Sequence, residues 1–161
     1  RGHGVIAETH TSKSVMARVL NVDPDFLIKN WTYFPIVSAM AGTLGNGLHI
    51  SNALTAIYLA TGQDTACVAE NSVGHFTVEK VDDGVTWRLT LPSLTVGTVG
   101  GGTRLSQQQQ NLQLLKCDTS EHSSRKLAEI IAAATLGLEI SLGSAIMSHT
   151  WTSAHMKYGR K

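Results

Sequence analysis

The sequence has 161 residues, 42% of them hydrophobic, and 13 Lys and Arg balance 12 Asp and Glu. A chain of this length buries about 70% of its unfolded surface, which is enough for one core, so we expect residues 1–161 to form a single domain or a fragment of one. The balanced charge argues against nucleic-acid binding. Two cysteines in no Cys-x-x-Cys pair argue against a zinc or redox site, and no metal site is expected.

Local patterns predict the first elements. A strand is expected over residues 5–8, followed by a helix that begins after residues 11–12, ends at Leu20 and is stopped by Asp23 and Pro24. Apolar residues at helical spacing predict a buried helix over residues 49–61.

The second half of the chain opens with two alternating segments, residues 75–81 and 85–91, joined by Asp-Asp-Gly. This pattern predicts an antiparallel hairpin. The four glutamines at 107–110 lie within a helical pattern of leucines and are predicted to form a solvated helix face.

Apolar residues repeat with the helical period from Ser120 or Ser123 to about residue 149. They predict one long helix or two stacked helices. Gly137 and Gly143 would either kink this segment or allow a neighbour to approach closely.

Residues 96–103 read Val-Gly-Thr-Val-Gly-Gly-Gly-Thr, and four glycines in six positions exceed what a wide turn needs. The dinucleotide fingerprint fails because its sixth position is Leu105, and the Walker A motif fails because Thr103 and Arg104 stand where Lys and Ser/Thr are required. We interpret the segment as a place where backbone closely approaches a ligand or a partner subunit, with N–H groups available to an anion. Its residues are Gly97, Gly100, Gly101, Gly102 and Thr103.

With its surroundings, this glycine loop resembles that of the 3-hydroxy-3-methylglutaryl-coenzyme A (HMG-CoA) reductases, an aliphatic residue followed by Gly-x-aliphatic-Gly-Gly-Gly/Ala-Thr. Further family motifs follow in the family's order: Ser-Ala-Met-Ala-Gly at 38–42, Thr-Ala-Ile-Tyr at 55–58, Gly-Gln-Asp at 62–64 and His-Met at 155–156. The resemblance covers nearly the whole chain. It implies an α+β fold, the C-terminal part of the large substrate-binding domain, with a buried central helix, an antiparallel strand pair and a long C-terminal helix.

The resemblance implies a fragment of an NADPH-dependent oxidoreductase that reduces HMG-CoA to mevalonate and coenzyme A for isoprenoid and sterol synthesis. The family's nicotinamide-binding insert, catalytic lysine and catalytic glutamate have no counterpart here, so we expect the chain alone to be inactive. Its start at Arg1, without an initiator methionine, also suggests a piece of a longer polypeptide. Implied partners are HMG-CoA and further copies in a homo-oligomer with shared active sites. No nucleic acid or membrane contact is expected for this segment.

A cytoplasmic location is implied as well. Many eukaryotic members of the family are anchored to the endoplasmic reticulum membrane and others are wholly soluble, and both remain open for the parent protein.

Asp64 matches the family's catalytic aspartate, and a carboxylate beside an ammonium holds that ammonium charged. The alternative is an aspartate that closes a helix end, which we disfavour because helix C-termini disfavour negative charge. His155 matches the family histidine, and an imidazole can protonate a departing thiolate. Its rival is His149, but a gapless count from residues 138–142, which look like the family's Gly-Glu-Leu-Ser-Leu, puts His155 in register.

On the same resemblance, the substrate-binding residues are Asn52, His49, Lys29 and Leu142. His49 and Asn52 match the family's His-x-x-Asn and share a helix face, although such residues also cap helix starts. An unbroken helix would put Asn52 about 18 Å from Asp64, so either the helix breaks or the site is shared between subunits. The family's substrate-carboxylate lysine is either Lys29, followed by four inserted residues, or is replaced by Tyr33.

Two departures favour an alternative of a different class. Trp151 stands where the family has an aliphatic residue, and Ser153 stands where it has Lys, Arg, Asn or Gln. Together with Tyr33, these residues are compatible with a non-catalytic relative or assembly piece that retains the packing and interface motifs.

Overall fold

The computed structural model describes residues 2–118 and 121–159. Three antiparallel strands form a sheet in the order β1-β3-β2, with β1 at His3–Thr11, β2 at His75–Val81 and β3 at Gly84–Leu94. The helices are α1 Lys13–Val15, α2 Pro24–Trp31, α3 Phe34–Met40, α4 Ile50–Thr61, α5 Val68–Asn71, α6 Ser106–Leu114, α7 Ser123–Met147 and α8 Trp151–Tyr158. The expected α+β class is confirmed.

The predicted hairpin is present, with Asp82 and Asp83 between β2 and β3 and Val81 opposite Gly84. The first strand is longer than predicted, because β1 pairs along β3 and reaches Thr11 opposite Val85. Its second half is polar and mostly exposed, so alternation of apolar side chains does not reveal it.

The first helical segment has the predicted cap and the predicted end at Leu20, whereas the helix that follows it was not predicted. Ser12 caps α1, which continues as a π-helix over Met16–Leu20. Asp23 accepts the backbone N–H of Phe26 at 2.9 Å, and Pro24 occupies the first turn of α2. The Asp-Pro pair predicted to stop a helix therefore begins one, since both residues favour helix N-termini. The prediction missed α2 and α3, and also α5 and α8.

α7 is a single helix that packs against β1, β3 and α4. Its start at Ser123 agrees with one of the two predicted starts, and Ser120 lies outside the described residues. Among the described helices, α7 is long and apolar enough to cross a membrane by length and composition alone. It also buries ten of its own residues against the rest of the chain, as the core helix of a folded domain does.

Aromatic rings join the sheet to the helices. Trp31 of α2 stacks on Phe34, with ring centroids 4.9 Å apart, and meets the edge of Phe76 at 5.0 Å. Phe76 of β2 in turn stacks on Trp87 of β3 at 6.0 Å. A Cβ built at Gly143 would lie 3.7 Å from Trp31, an ordinary van der Waals distance, and one at Gly137 would border open space. The close approach of a neighbour predicted for these glycines is therefore not seen within the described residues.

Candidate active site

Asp64 lies just beyond the end of α4. Gly62 ends that helix in the left-handed conformation, with φ of 70°, and the next turn, Thr65–Cys67, begins directly after Asp64. The exposed carboxylate accepts the N–H of Ala66 at 3.0 Å and caps this turn. Asp64 therefore has the local role that the sequence disfavoured, because its charge lies at a helical N-terminus, where negative charge is favoured. A catalytic role for Asp64 stays a prediction.

Gln63 joins the end of α4 to the glycine loop. Its side-chain Oε1 accepts the N–H of Gly97 at 2.8 Å, and its Nε2 donates to the Gly97 carbonyl at 2.9 Å. Nε2 also donates to the Thr61 carbonyl at 3.1 Å. Gly97, the first glycine of the loop, is therefore held through both its N–H and its carbonyl.

Asn71, which is fully buried, links α4 to the root of the same loop, which we define as residues 93–95. Its Oδ1 accepts the Tyr58 hydroxyl at 2.7 Å and the Thr95 N–H at 3.0 Å, and its Nδ2 donates to the Ser93 carbonyl. Burial raises the pKa of Tyr58 well above its usual value, so the hydroxyl stays protonated and remains a donor.

The loop glycines differ in what surrounds them. A Cβ at Gly102 would lie 2.7 Å from the Gly62 carbonyl oxygen, so these two backbones pack against each other within the chain. Gly97, Gly100 and Gly101 border open space instead, and the latter two have positive φ. Intrachain packing explains Gly102, whereas the open side of the other three is available to a ligand or a partner.

Asp64 and the glycine loop line one cleft, of about 730 Å³. Its walls include the end of α4, the turn that Asp64 caps and one face of α6. The structure thus brings together six of the residues predicted from sequence. They are Asp64, Gly97, Gly100, Gly101, Gly102 and Thr103.

The opposite end of α4 carries the second group of predicted residues. His49 Nδ1 and Asn52 Nδ2 are hydrogen bonded to each other at 2.8 Å. The backbone donors at this helix start are instead satisfied by Glu139 of α7, whose carboxylate accepts the N–H of Leu48 at 2.7 Å and that of His49 at 2.6 Å. The capping role considered for His49 and Asn52 therefore belongs to Glu139.

Glu139 was missed as a functional candidate although it lies in the Gly-Glu-Leu-Ser-Leu-like segment. It is fully buried, and burial raises the pKa of its carboxyl more strongly than the backbone donors of residues 48–50 lower it. A glutamate on the apolar side of a long helix is the sequence signal for such a buried cap, because an unpaired buried carboxylate is costly.

α4 is continuous from Ile50 to Thr61. The alternative in which this helix breaks and brings Asn52 toward Asp64 is therefore excluded. A 12-residue helix spans about 18 Å, so the two residues lie at opposite ends of one rod.

His155 lies on α8, which buries none of its residues. Its Nδ1 is 2.9 Å from the Trp151 carbonyl oxygen, and its ring lies against the Trp151 indole with centroids 4.2 Å apart. His155 lines a cleft with Trp151 and Met156 that is separate from the Asp64 cleft. Its rival, His149, has φ of 58° in the turn between α7 and α8.

The remaining predicted residues lie elsewhere on the surface. Lys29 is exposed in the last turn of α2, and Tyr33 is 64% exposed directly before α3. Leu142 is half-buried on α7. None of the three lines the Asp64 cleft.

Comparison with known proteins identifies the same family. The family model for hydroxymethylglutaryl-coenzyme A reductase matches residues 1–160. The 3-hydroxy-3-methylglutaryl-coenzyme A reductase of Methanocaldococcus jannaschii is 36% identical, with 99% of this chain and 40% of that protein covered. That of Aeropyrum pernix is 41% identical, with 99% and 39% covered. Reductase 2 of Hevea brasiliensis is 41% identical, with 99% and 80% covered. The chain spans about 40% of the length of the archaeal relatives.

Proposed function

Because the chain belongs to the hydroxymethylglutaryl-coenzyme A reductase family, we propose that it is a segment of an NADPH-dependent reductase that converts HMG-CoA to mevalonate and coenzyme A. The observation that supports this best is the cleft in which Asp64 and the open side of the glycine loop lie together. This activity is proposed for the whole protein, since the chain covers about 40% of the length of the archaeal relatives. The proposed location is the cytoplasm.

Reduction of a thioester to an alcohol requires charge stabilisation at the carbonyl oxygen and a proton for the departing thiolate. Asp64 supplies an exposed carboxylate in the cleft, and in the whole protein this carboxylate would keep charged an ammonium contributed by another part of the protein. His155 supplies the proton. Because the Trp151 carbonyl only accepts, Nδ1 of the imidazole carries a hydrogen, and Nε2 is the atom that takes and gives the transferred proton.

Bound NADPH would supply the hydride. The residues of this chain that fit its approach are Gly97, Gly100 and Gly101, because the space that side chains would fill there is open. HMG-CoA is proposed to lie against the other group of residues, with the His49–Asn52 pair, Lys29 and Leu142 as its contacts.

A homo-oligomer with shared active sites is part of the proposal. Asp64 and Asn52 lie at opposite ends of the unbroken α4, so one chain does not bring both to the same thioester. Large apolar side chains are also exposed on and after α3, with Ile36 57%, Met40 83% and Leu44 88% exposed, as expected for a surface that a partner covers.

The test is NADPH oxidation by the full-length protein in the presence of HMG-CoA. Asp64→Asn and His155→Gln should each lower kcat by about 100-fold or more, the usual contribution of a proton-transfer or charge-tuning group. The matched controls are Asp83→Asn in the hairpin turn and His149→Gln between α7 and α8, which should retain activity.

Wild-type protein that binds neither substrate would support the non-catalytic alternative. An active enzyme with unchanged kcat in Asp64→Asn would remove Asp64 from the mechanism.

A further inference from the structure

Gln63 makes contacts that the proposed chemistry does not require. It lies between the helix-ending Gly62 and Asp64, and its amide bonds to both backbone polar groups of Gly97. We propose that Gln63 is a positioning residue that sets the distance between the Asp64 carboxylate and the open side of the glycine loop. This inference rests on the proposed function, because it gives that distance a role in cofactor use.

Gly97 depends on Gln63 for its place. The strand β3 ends at Leu94, and regular backbone structure resumes at the 3-10 turn Gly101–Arg104. A Cβ at Gly97 would meet nothing within 4 Å, so the side of this residue that a side chain would occupy makes no packing contact. A paired amide that both accepts from its N–H and donates to its carbonyl fixes its position and also the orientation of its peptide planes.

The same bonding pattern occurs once more among the described residues, in a more buried setting. Asn46, which is 4% exposed, accepts the Phe76 N–H at 2.7 Å and donates to the Phe76 carbonyl at 2.8 Å. Phe76 lies within β2, whose other edge pairs with β3, so the Asn46 amide takes the place of a neighbouring strand. In the same way, the Gln63 amide satisfies both backbone polar groups of a loop residue that has no neighbouring strand.

A purely local role does not account for the Gln63 side chain. The end of α4 is already closed, because the backbone N–H groups of Gly62 and Gln63 both donate to the Tyr58 carbonyl. The root of the loop is already tied to α4 by Asn71. The Gln63 amide instead bonds to Gly97, the first glycine of the loop. Because Asp64 directly follows Gln63 in the chain, a displacement of Gln63 also shifts Asp64.

The experiment uses the full-length protein and three variants: Gln63→Glu, Gln63→Met and the control Gln113→Glu on an exposed position of α6. NADPH oxidation is measured from pH 5 to 8, with kcat and KM for NADPH expressed relative to wild type. At pH 8, Gln63→Glu should lose about 100-fold in kcat/KM for NADPH, as a displacement of about 1 Å near the reacting groups can cause. As the pH falls toward 5, its activity relative to wild type should rise, because a carboxylate held against the Gly97 carbonyl oxygen has a raised pKa and, once protonated, regains a donor for that carbonyl.

Gln63→Met should remain impaired at every pH, since it has no donor to regain. Gln113→Glu should follow wild type. Loss of equal size at every pH in both Gln63 variants would overturn the proposal, and so would activity equal to wild type in Gln63→Met.

Hydrogen exchange separates this inference from the proposed function. In Gln63→Met, amides of residues 96–101 should exchange faster than in wild type, while those of β2 and β3 keep wild-type rates. If the wild-type protein does not oxidise NADPH, the proposed function fails, and exchange alone decides whether Gln63 holds the loop. Unchanged exchange in the loop, or unfolding of both Gln63 variants, would overturn the proposal.

Discussion

Truncation of Asn71 to alanine should remove the strongest tie between α4 and the root of the glycine loop. Asn71 is fully buried and bonds to the Tyr58 hydroxyl at 2.7 Å, the Thr95 N–H at 3.0 Å and the Ser93 carbonyl. Each buried polar group left unpaired costs about 1–3 kcal/mol. With partial relaxation, we expect Asn71→Ala to lower the free energy of unfolding by about 3–5 kcal/mol, a large part of the ~5–15 kcal/mol of a typical domain.

Urea unfolding of the chain, followed by circular dichroism, measures this change. A double-mutant cycle with Tyr58→Phe isolates one of the three contacts. In the wild-type background, Tyr58→Phe should cost about 1 kcal/mol, and in the Asn71→Ala background its cost should fall to about zero, since the hydroxyl has already lost its partner.

The matched control is Tyr33→Phe at a tyrosine that is 64% exposed, which should change the free energy of unfolding by less than about 0.5 kcal/mol. An equal cost of Tyr58→Phe in both backgrounds would contradict this prediction, because it would show that the Tyr58 hydroxyl and the Asn71 amide do not interact.

Three further predictions concern the same elements. Gly102→Ala should lower the free energy of unfolding in urea by about 2 kcal/mol, because its Cβ would lie 2.7 Å from a backbone carbonyl oxygen. Its control, Gly97→Ala, should leave that free energy unchanged, because its Cβ meets open space, and should lower activity if a ligand uses that space. Since burial raises the pKa of Tyr58, its contribution to stability is complete below pH 10 and is lost at higher pH; alkaline titration of Tyr58→Phe should lack that loss. Glu139→Ala should lower the free energy of unfolding in urea by about 3 kcal/mol, because it leaves two backbone N–H groups unpaired. The control Glu129→Ala, at an exposed position of the same helix, should lower it by less than about 0.5 kcal/mol, and equal changes in the two variants would contradict the capping role of Glu139.

Periodic patterns predicted most of the regular elements. The β2–β3 hairpin, α4, α6 and α7 each have a local signal, namely alternation around a turn or apolar residues at helical spacing. α2 and α3 were missed because both are short and begin at or just before a proline, which reads as a stop signal as readily as a start. The outer half of β1 was missed because its side chains are polar.

The candidate site was predicted in part. Family motifs identified Asp64 and the glycine loop, and the structure gathers them at one cleft. The motifs did not indicate that Asp64 caps the following turn, nor that Gln63 holds the loop, because a residue type at a position does not reveal its hydrogen-bond partner.

The family and the α+β class follow from residue types at short, fixed spacings, and the same spacings supply the residues proposed for the chemistry. Which of these residues come together depends on the packed fold. The bonds of Gln63 to Gly97 span 34 positions and those of Glu139 to His49 span 90. Contacts at such separations arise from the packing of whole helices and strands, so no local periodicity along the chain records them.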